Sequence, residues 1–426
     1  MKINAKKIVI VSVILASLIG LSLHFKTTAQ SINNQEKIFN NMDTPKTINN
    51  QLLTSNQKFA FKLFNQLQGN NKEEENIFIS PTSVAIALSL LYNGADGVTK
   101  TEMAQTLAIQ DISLNELNQG YRDLQQLLTN TNDIELSIEN SLWIRKDFPI
   151  KQTFIDTNKR YFQAEVSTLE FKHPETTNII NNWVNNATKG KISKIIDSVK
   201  PDDVLFLINA IYFNGNWQNE FNPQLTQKQP FYLAKDKTID YPLMSQRGNF
   251  NYYENQNFQL INLPYGKSGA MSMYILLPQK DVELATITKK LNEETWQQWL
   301  SNLSNKEGLI ALPKFTLEYE KTLNETLINL GMKTAFNDGN FSNLTDESVV
   351  VSEVKHKTFV NVDEKGTEAA AVTSIGVRAT SMPINSPFQM IVNRPFLYVI
   401  QDNKTGTILF IGTINQLDNS MIPNSN

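Results

Sequence analysis

Residues Asp363–Ser381 read DEKGTEAAAVTSIGVRATS, and their period is two. Every second residue from Thr367 is uncharged: Thr367, Ala369, Ala371, Thr373, Ile375, Val377 and Ala379. Both charges of the stretch beyond Thr367, Glu368 and Arg378, fall in the alternate set. Side chains alternate faces along a strand, so one face here can enter a core while the other stays wet. Gly366, Gly376 and the alanine run offer little to pack against, so the segment has weak reason to be ordered by itself. Alone it reads as a flexible loop or a short Ala-rich helix as readily as a strand outside its sheet. The rest of the chain has to choose.

Composition removes several chemistries. The absence of cysteine excludes disulfides, thiolate metal sites and a cysteine nucleophile. Residues 30–426 hold 35 basic against 42 acidic residues, a net charge of −7, which argues against nucleic acid as a partner. Of three histidines, His24 lies in the N-terminal segment, and neither His173 nor His356 has a second histidine three or four residues away. Gly266-Lys267-Ser268 lacks the first glycine of a phosphate loop, and no Gly-x-Ser-x-Gly elbow occurs. No metal or cofactor is expected.

Lys2, Lys6 and Lys7 precede an apolar run, Ile8–Leu23, followed by Thr27-Thr28-Ala29. This is the layout of a secretory signal peptide over residues 1–29, cleaved or retained as an anchor, so the body is expected outside the cytoplasm, extracellular or periplasmic. Residues 30–53, rich in Asn and Gln, read as a solvated tether. The next stretch is helical in pattern, with helices expected from Ser55, after Ser80-Pro81, from a Thr99 cap, and over Glu116–Thr129, Phe154–Phe162 and Ile179–Ala187. Beyond residue 200 strands dominate. Leu205–Phe213 is a near-continuous apolar run, hence a central strand covered on both faces, with Asn209 as a polar intruder. Met271–Leu277, Ile310–Tyr319, Val349–Val362, Phe388–Val392, Phe396–Ile400 and Thr407–Ile411 also read as strands. Leu284–Leu300 and Leu323–Leu330 read as helices.

Nine ordered blocks resemble one family: NIFISPTSVAIAL (76–88), GADGVT (94–99), NSLW (140–143), TKGKI (188–192), LINAIYFNGNW (207–217), LPY (263–265), PKF (313–315), VDEKGTEAAA (362–371) and NRPF (393–396). The chain is similar to a serpin over about Thr54–Gln416. The resemblance implies an α+β fold with three β-sheets and about nine helices, a single domain over 54–418 with a reactive loop at 364–388, and a tail at 419–426. It also implies an inhibitor rather than an enzyme. A target protease cuts the loop, forms an acyl-enzyme, and is trapped as the loop inserts into the main sheet, a known instance of strand addition.

Family positions transfer residue by residue. The hinge is Glu364, Lys365, Gly366, Thr367, Glu368, Ala369, Ala370 and Ala371. The gate resembles Ser80, Ser83, Asn209 and His356, whose hydroxyl, amide and imidazole groups can form one buried network. Counting 17 residues from Glu364 sets the reactive bond at Thr380-Ser381; counting back from Asn393 sets it nearer Ile384. Thr380 suits a small-pocket serine endopeptidase, elastase-like or subtilisin-like, whereas cleavage at Arg378 would suit a trypsin-like enzyme. The implied partner is such a protease, acting on a monomer. The alternatives are a non-inhibitory serpin-fold binding protein or an inhibitor of cysteine proteases. The charge-free, proline-free inward set lets each inserted N–H join a ladder. At about 1 kcal/mol per net hydrogen bond, 14 inserted residues would release on the order of 14 kcal/mol.

Overall fold

The computed structural model describes residues 48–70, 75–131, 133–233, 237–367 and 387–423; elements are numbered along the chain. The apolar run 205–213 is the centre of strand β4 (Leu205–Asn216). Its side chains divide between two cores, as a two-residue period dictates. Leu205, Leu207, Ile211 and Phe213 enter the main core, while Phe206, Ile208 and Ala210 enter a smaller one. Both faces are covered, as the unbroken apolar run predicts.

Strand β4 lies in a six-stranded sheet with the order β10 (Phe315–Thr322), β11 (Glu353–Val362), β12 (Gly366–Thr367), β4, β2 (Ile134–Arg145), β3 (Glu165–Leu169). The remaining nine strands form a connected network. One end runs β1 (Ile77–Ile79), β15 (Ile408–Ile414), β14 (Phe396–Asp402), β8 (Met271–Pro278), β7 (Phe258–Tyr265). The other is a small sheet of β5 (Gln227–Tyr232), β6 (Thr238–Glu254), β9 (Ser304–Pro313) and β13 (Phe388–Ile391). Strand β6 joins the two, pairing with β5 and β9 along most of its length and with β7 at residues 251–254. The fold is mixed α+β with three sheets.

The described residues contain ten α-helices: α1 (Asn50–Asn70), α2 (Pro81–Tyr92), α3 (Gly97–Leu107), α4 (Leu114–Thr129), α5 (Gln152–Phe162), α6 (Thr176–Ala187), α7 (Leu284–Thr288), α8 (Glu293–Ser301), α9 (Asn324–Asn329) and α10 (Thr334–Asn337). Helix α2 is buried on every side. Ser80 caps it, its hydroxyl accepting from the Ser83 N–H, and Pro81 fills the first helical position. The second core lies between the outer face of the six-stranded sheet and α6, with Ile180 and Val184 packed against Phe206 and Ile208.

Several boundaries differ from the sequence expectation. The tether expected to 53 ends earlier, because α1 starts at Asn50 and Leu52 is fully buried under Gly120 of α4. Helix α3 starts at Gly97 after Asp96, so Thr99 is no cap; its hydroxyl bonds that of Thr334 and accepts from the Asn340 N–H. The strand expected over Ile310–Tyr319 is two strands in different sheets. Pro313 ends β9, Phe315 opens β10, and Lys314 sits at the crossing. Leu284–Leu300 is two helices, because Asn292 and Thr295 form a reciprocal cap that starts α8 afresh. Strand β11 begins at Glu353 rather than 349. The expected tail at 419–426 is not free throughout, since Met421 and Ile422 pack against the core.

Candidate functional site

Strands β4 and β11 run parallel and pair only at one end, Phe206–Ile211 with Glu353–Thr358. At the other end the two-residue strand β12 stands between them. Thr367 faces Val362 of β11 and Gly215 of β4, antiparallel to both, and Gly366 faces Asn216. Between the two pairings, Tyr212–Asn214 and Phe359–Asn361 have no pairing with one another.

The hinge is tightly held. The carbonyls of Lys365 and Glu364 accept from the N–H groups of Trp217 and Phe221, each at 2.8 Å. The Trp217 indole donates to the Asp363 carbonyl at 2.9 Å and stacks on Tyr265 at 4.5 Å. Tyr265 in turn bonds the Thr367 hydroxyl at 2.6 Å, and both residues are fully buried. Gly366 is required by close approach: a Cβ there would lie 2.2 Å from the Gly215 carbonyl oxygen. Glu364 accepts from Thr226 at 2.7 Å and pairs with Lys314 at 2.7 Å. Burial disfavours the Glu364 carboxylate, but these two partners outweigh it and hold its pKa below the usual range. Burial raises that of Asp363 even though its carboxylate accepts the N–H groups of Lys365 and Gly366.

Ser80, Ser83, Asn209 and His356 come together where β4, β11 and α2 meet. The Ser80 N–H donates to His356 Nε2 at 3.0 Å. His356 Nδ1 must therefore carry the proton, and it donates to Asn209 Oδ1 at 2.8 Å. The Asn209 amide donates to Ser83, through both its carbonyl and its hydroxyl oxygen, and to Asn140 Oδ1 at 2.8 Å. Burial lowers the His356 pKa to about 3, so the ring stays neutral. A neutral imidazole with both nitrogens spent on structural bonds cannot serve as a general base.

The sequence profile of the family described as serpin (serine protease inhibitor) matches residues 54–417. The chain belongs to the serpin family. A serpin-like protein of Methanosarcina mazei is 32% identical over 382 residues, covering 85% of this chain and 87% of its own. Among solved structures, the thermophilic serpin tengpin in its native state superposes with a TM-score of 0.81 at 33% identity, covering 87% of this chain and 96% of tengpin. Human thyroxine-binding globulin in complex with thyroxine has a TM-score of 0.79 at 28% identity, covering 86% of this chain and 98% of the globulin. Serpins as a family are protease inhibitors rather than enzymes.

In this serpin, Glu364, Lys365, Gly366 and Thr367 are part of the ordered sheet end. Glu368, Ala369, Ala370 and Ala371, and the Thr380-Ser381 bond, lie outside the described residues. One expectation needs correcting: Thr367 falls within the loop 364–388 that the resemblance has entering the sheet after cleavage, yet it is already in the sheet of the uncut chain. Phe388, given to the loop, opens β13 instead. Sequence reasoning missed Asn140, Trp217, Phe221, Thr226, Tyr265 and Lys314. Four of them lie in blocks quoted for the resemblance, so the signal was present without a contact to attach it to.

Proposed function

We propose that this serpin is an irreversible suicide-substrate inhibitor of a serine endopeptidase. The reading is carried by one observation, the hinge strand Gly366–Thr367 standing between β4 and β11 above a stretch where those strands do not pair. That arrangement supports insertion that starts from the hinge. The protease serine oxygen bonds to the Thr380 carbonyl carbon, the Thr380–Ser381 bond breaks, and the Ser381 nitrogen leaves with a proton. The upstream limb, now free at one end and still bearing the acyl-enzyme, extends β12 into the gap.

The register supports this. Thr367 faces Gly215 and Val362, so nine residues further, position 376 would face Phe206 and Glu353, the far ends of both partner strands. Residues 367–376 therefore fit between β4 and β11, if the parallel pairing there opens. Position 373 would fall opposite both Asn209 and His356, on the same face as Thr367. Thr373 would then set its hydroxyl between the imidazole and the amide that bond each other in the uncut state. The inward set of this limb is charge-free, which entry into the core requires.

Thr380 supports a small-pocket, elastase-like or subtilisin-like target, and the lysine-led apolar segment at 1–29 supports export. The test is incubation with elastase-, subtilisin- and trypsin-like proteases followed by denaturing gels. A covalent band of inhibitor plus protease, with a short C-terminal fragment starting at Ser381, is expected. Likeness to thyroxine-binding globulin favours a second reading, a carrier whose loop is cut without trapping; a cleaved chain and no covalent band would select it.

A further inference from the structure

The segment 217–221, two of whose N–H groups hold the hinge, lines a hollow of about 180 Å³. Gln246 of β6 ties this segment to the sheet, its Nε2 donating to the carbonyls of Asn219 at 3.2 Å and Glu220 at 2.9 Å. Trp217 and Phe221 supply an apolar part of the lining, their rings edge to face at 6.1 Å. A second part is set by strand register. Asn251 of β6 pairs with Asn262 of β7 on one side and with Asn305 of β9 on the other. Residues paired across strands share a face of the sheet, so three carboxamides stand in a row, about 5 Å from one to the next. Asn249, two residues along β6, lies on the same face and also lines the hollow. Asparagine is a poor strand former, so packing within the sheet does not account for this row. The side chains of Asn249, Asn251 and Asn305 are exposed and have no hydrogen-bond partner among the described residues. None of the residues lining the hollow is charged.

We infer that this hollow binds one neutral pyranose ring, either a free sugar or the end residue of a glycan chain. Each carboxamide carries two N–H donors and an acceptor on a short arm, so a row of them matches hydroxyl groups that themselves donate and accept. Trp217 and Phe221 offer an apolar surface to the C–H face of the ring, and a few polar groups beside aromatic walls are the usual make-up of a small-ligand site. The size fits a single ring: an apolar cavity of about 150 Å³ holds benzene, and this hollow is somewhat larger. A charged sugar would find no countercharge in the lining, so the ligand is uncharged. Because the three exposed carboxamides are unpaired, a ligand displaces water from them without breaking a contact of the protein. The site lies apart from the reactive bond and does not rest on the inhibitor reading.

Calorimetric titration of the whole protein with glucose, galactose, mannose and N-acetylglucosamine tests this. At least one sugar is expected to bind saturably in the millimolar range, the affinity open to so small a ligand. Asn251→Ala/Asn305→Ala is expected to bind that sugar roughly tenfold more weakly through the loss of two hydrogen bonds. Its melting temperature without sugar should match wild type, because both side chains are exposed. Should the double variant melt lower, Asn249→Ala supplies the same comparison, with a smaller loss of affinity. Asn182→Ala, at an exposed asparagine of α6, is the control and is expected to bind like wild type. The methyl glycoside of the bound sugar separates the two sources: retained binding points to the end of a glycan chain, lost binding to a free sugar, and either result supports the site. No saturable binding of any of the four sugars, or equal affinity in wild type and the asparagine variants, overturns the proposal.

Discussion

Asn209 is the one polar side chain in the apolar run 205–213, and its amide is spent on Ser83, Asn140 and His356. Such an amide without partners would cost about 1–3 kcal/mol. His356 makes the cluster sensitive to acid. The native ring resists protonation down to about pH 3, whereas the unfolded chain titrates near 6.5. Below pH 6.5 the unfolded state takes up a proton that the native state refuses. Stability therefore rises with pH through the window from about 3 to 6.5 and falls as acid is added, by up to about 1.4 kcal/mol per pH unit from this group. Urea unfolding at pH 7.5 and pH 5 should show a clear loss of native stability in wild type and a smaller one in His356→Gln. Equal losses would remove His356 as the cause. Asn140 escaped the sequence reading because it lies in a strand whose alternation gives no reason to single out one asparagine. Asn209 and His356 stood out because each breaks an apolar pattern, but only proximity across 147 residues joins them.

At the scale of elements, the opening stretch was legible as a strand with one dry face, and the structure moves its first residue indoors ahead of any cleavage. The reason is local: Trp217, Phe221 and Tyr265 satisfy the hinge backbone and the Thr367 hydroxyl, and these contacts span more than a hundred residues of sequence. A charge at 367 has no place between β4 and β11, so Thr367→Arg has two expected effects. The hinge leaves the sheet in the uncut protein, and insertion after cleavage stalls at its first step. Gel assays should show a rise of roughly tenfold or more in inhibitor cut per protease trapped. Retained wild-type trapping would refute insertion through this hinge. Long apolar strands such as β4 and β8 were read well because both their faces are buried. Strand β6 was not, because QRGNFNYY mixes polar and apolar positions while serving two sheets. The strand around Lys314 was misjudged because a change of sheet at Pro313 leaves the alternation intact.

For the whole molecule, the uncut state keeps β4 and β11 paired over six residues and leaves the stretch above unpaired. With Thr367 already in place, residues 368–376 would complete ladders on both sides at about two bonds per residue, against about six bonds lost as the β4–β11 pairing opens. At about 1 kcal/mol per net bond the gain is on the order of 10 kcal/mol, comparable with the stability of an ordinary domain. If the limb inserts as proposed, the uncut fold is held by a kinetic barrier rather than by being the most stable arrangement of the chain. The sequence conveyed the family through nine blocks, but the energetic claim depends on a register that only the fold reveals. The most direct test is thermal unfolding before and after the loop is cut by a protease that leaves the rest of the chain intact. The cleaved protein is expected to unfold roughly 10 °C or more above the uncut one. A cleaved protein that melts at or below the uncut temperature would contradict insertion, and with it the proposed inhibitory mechanism.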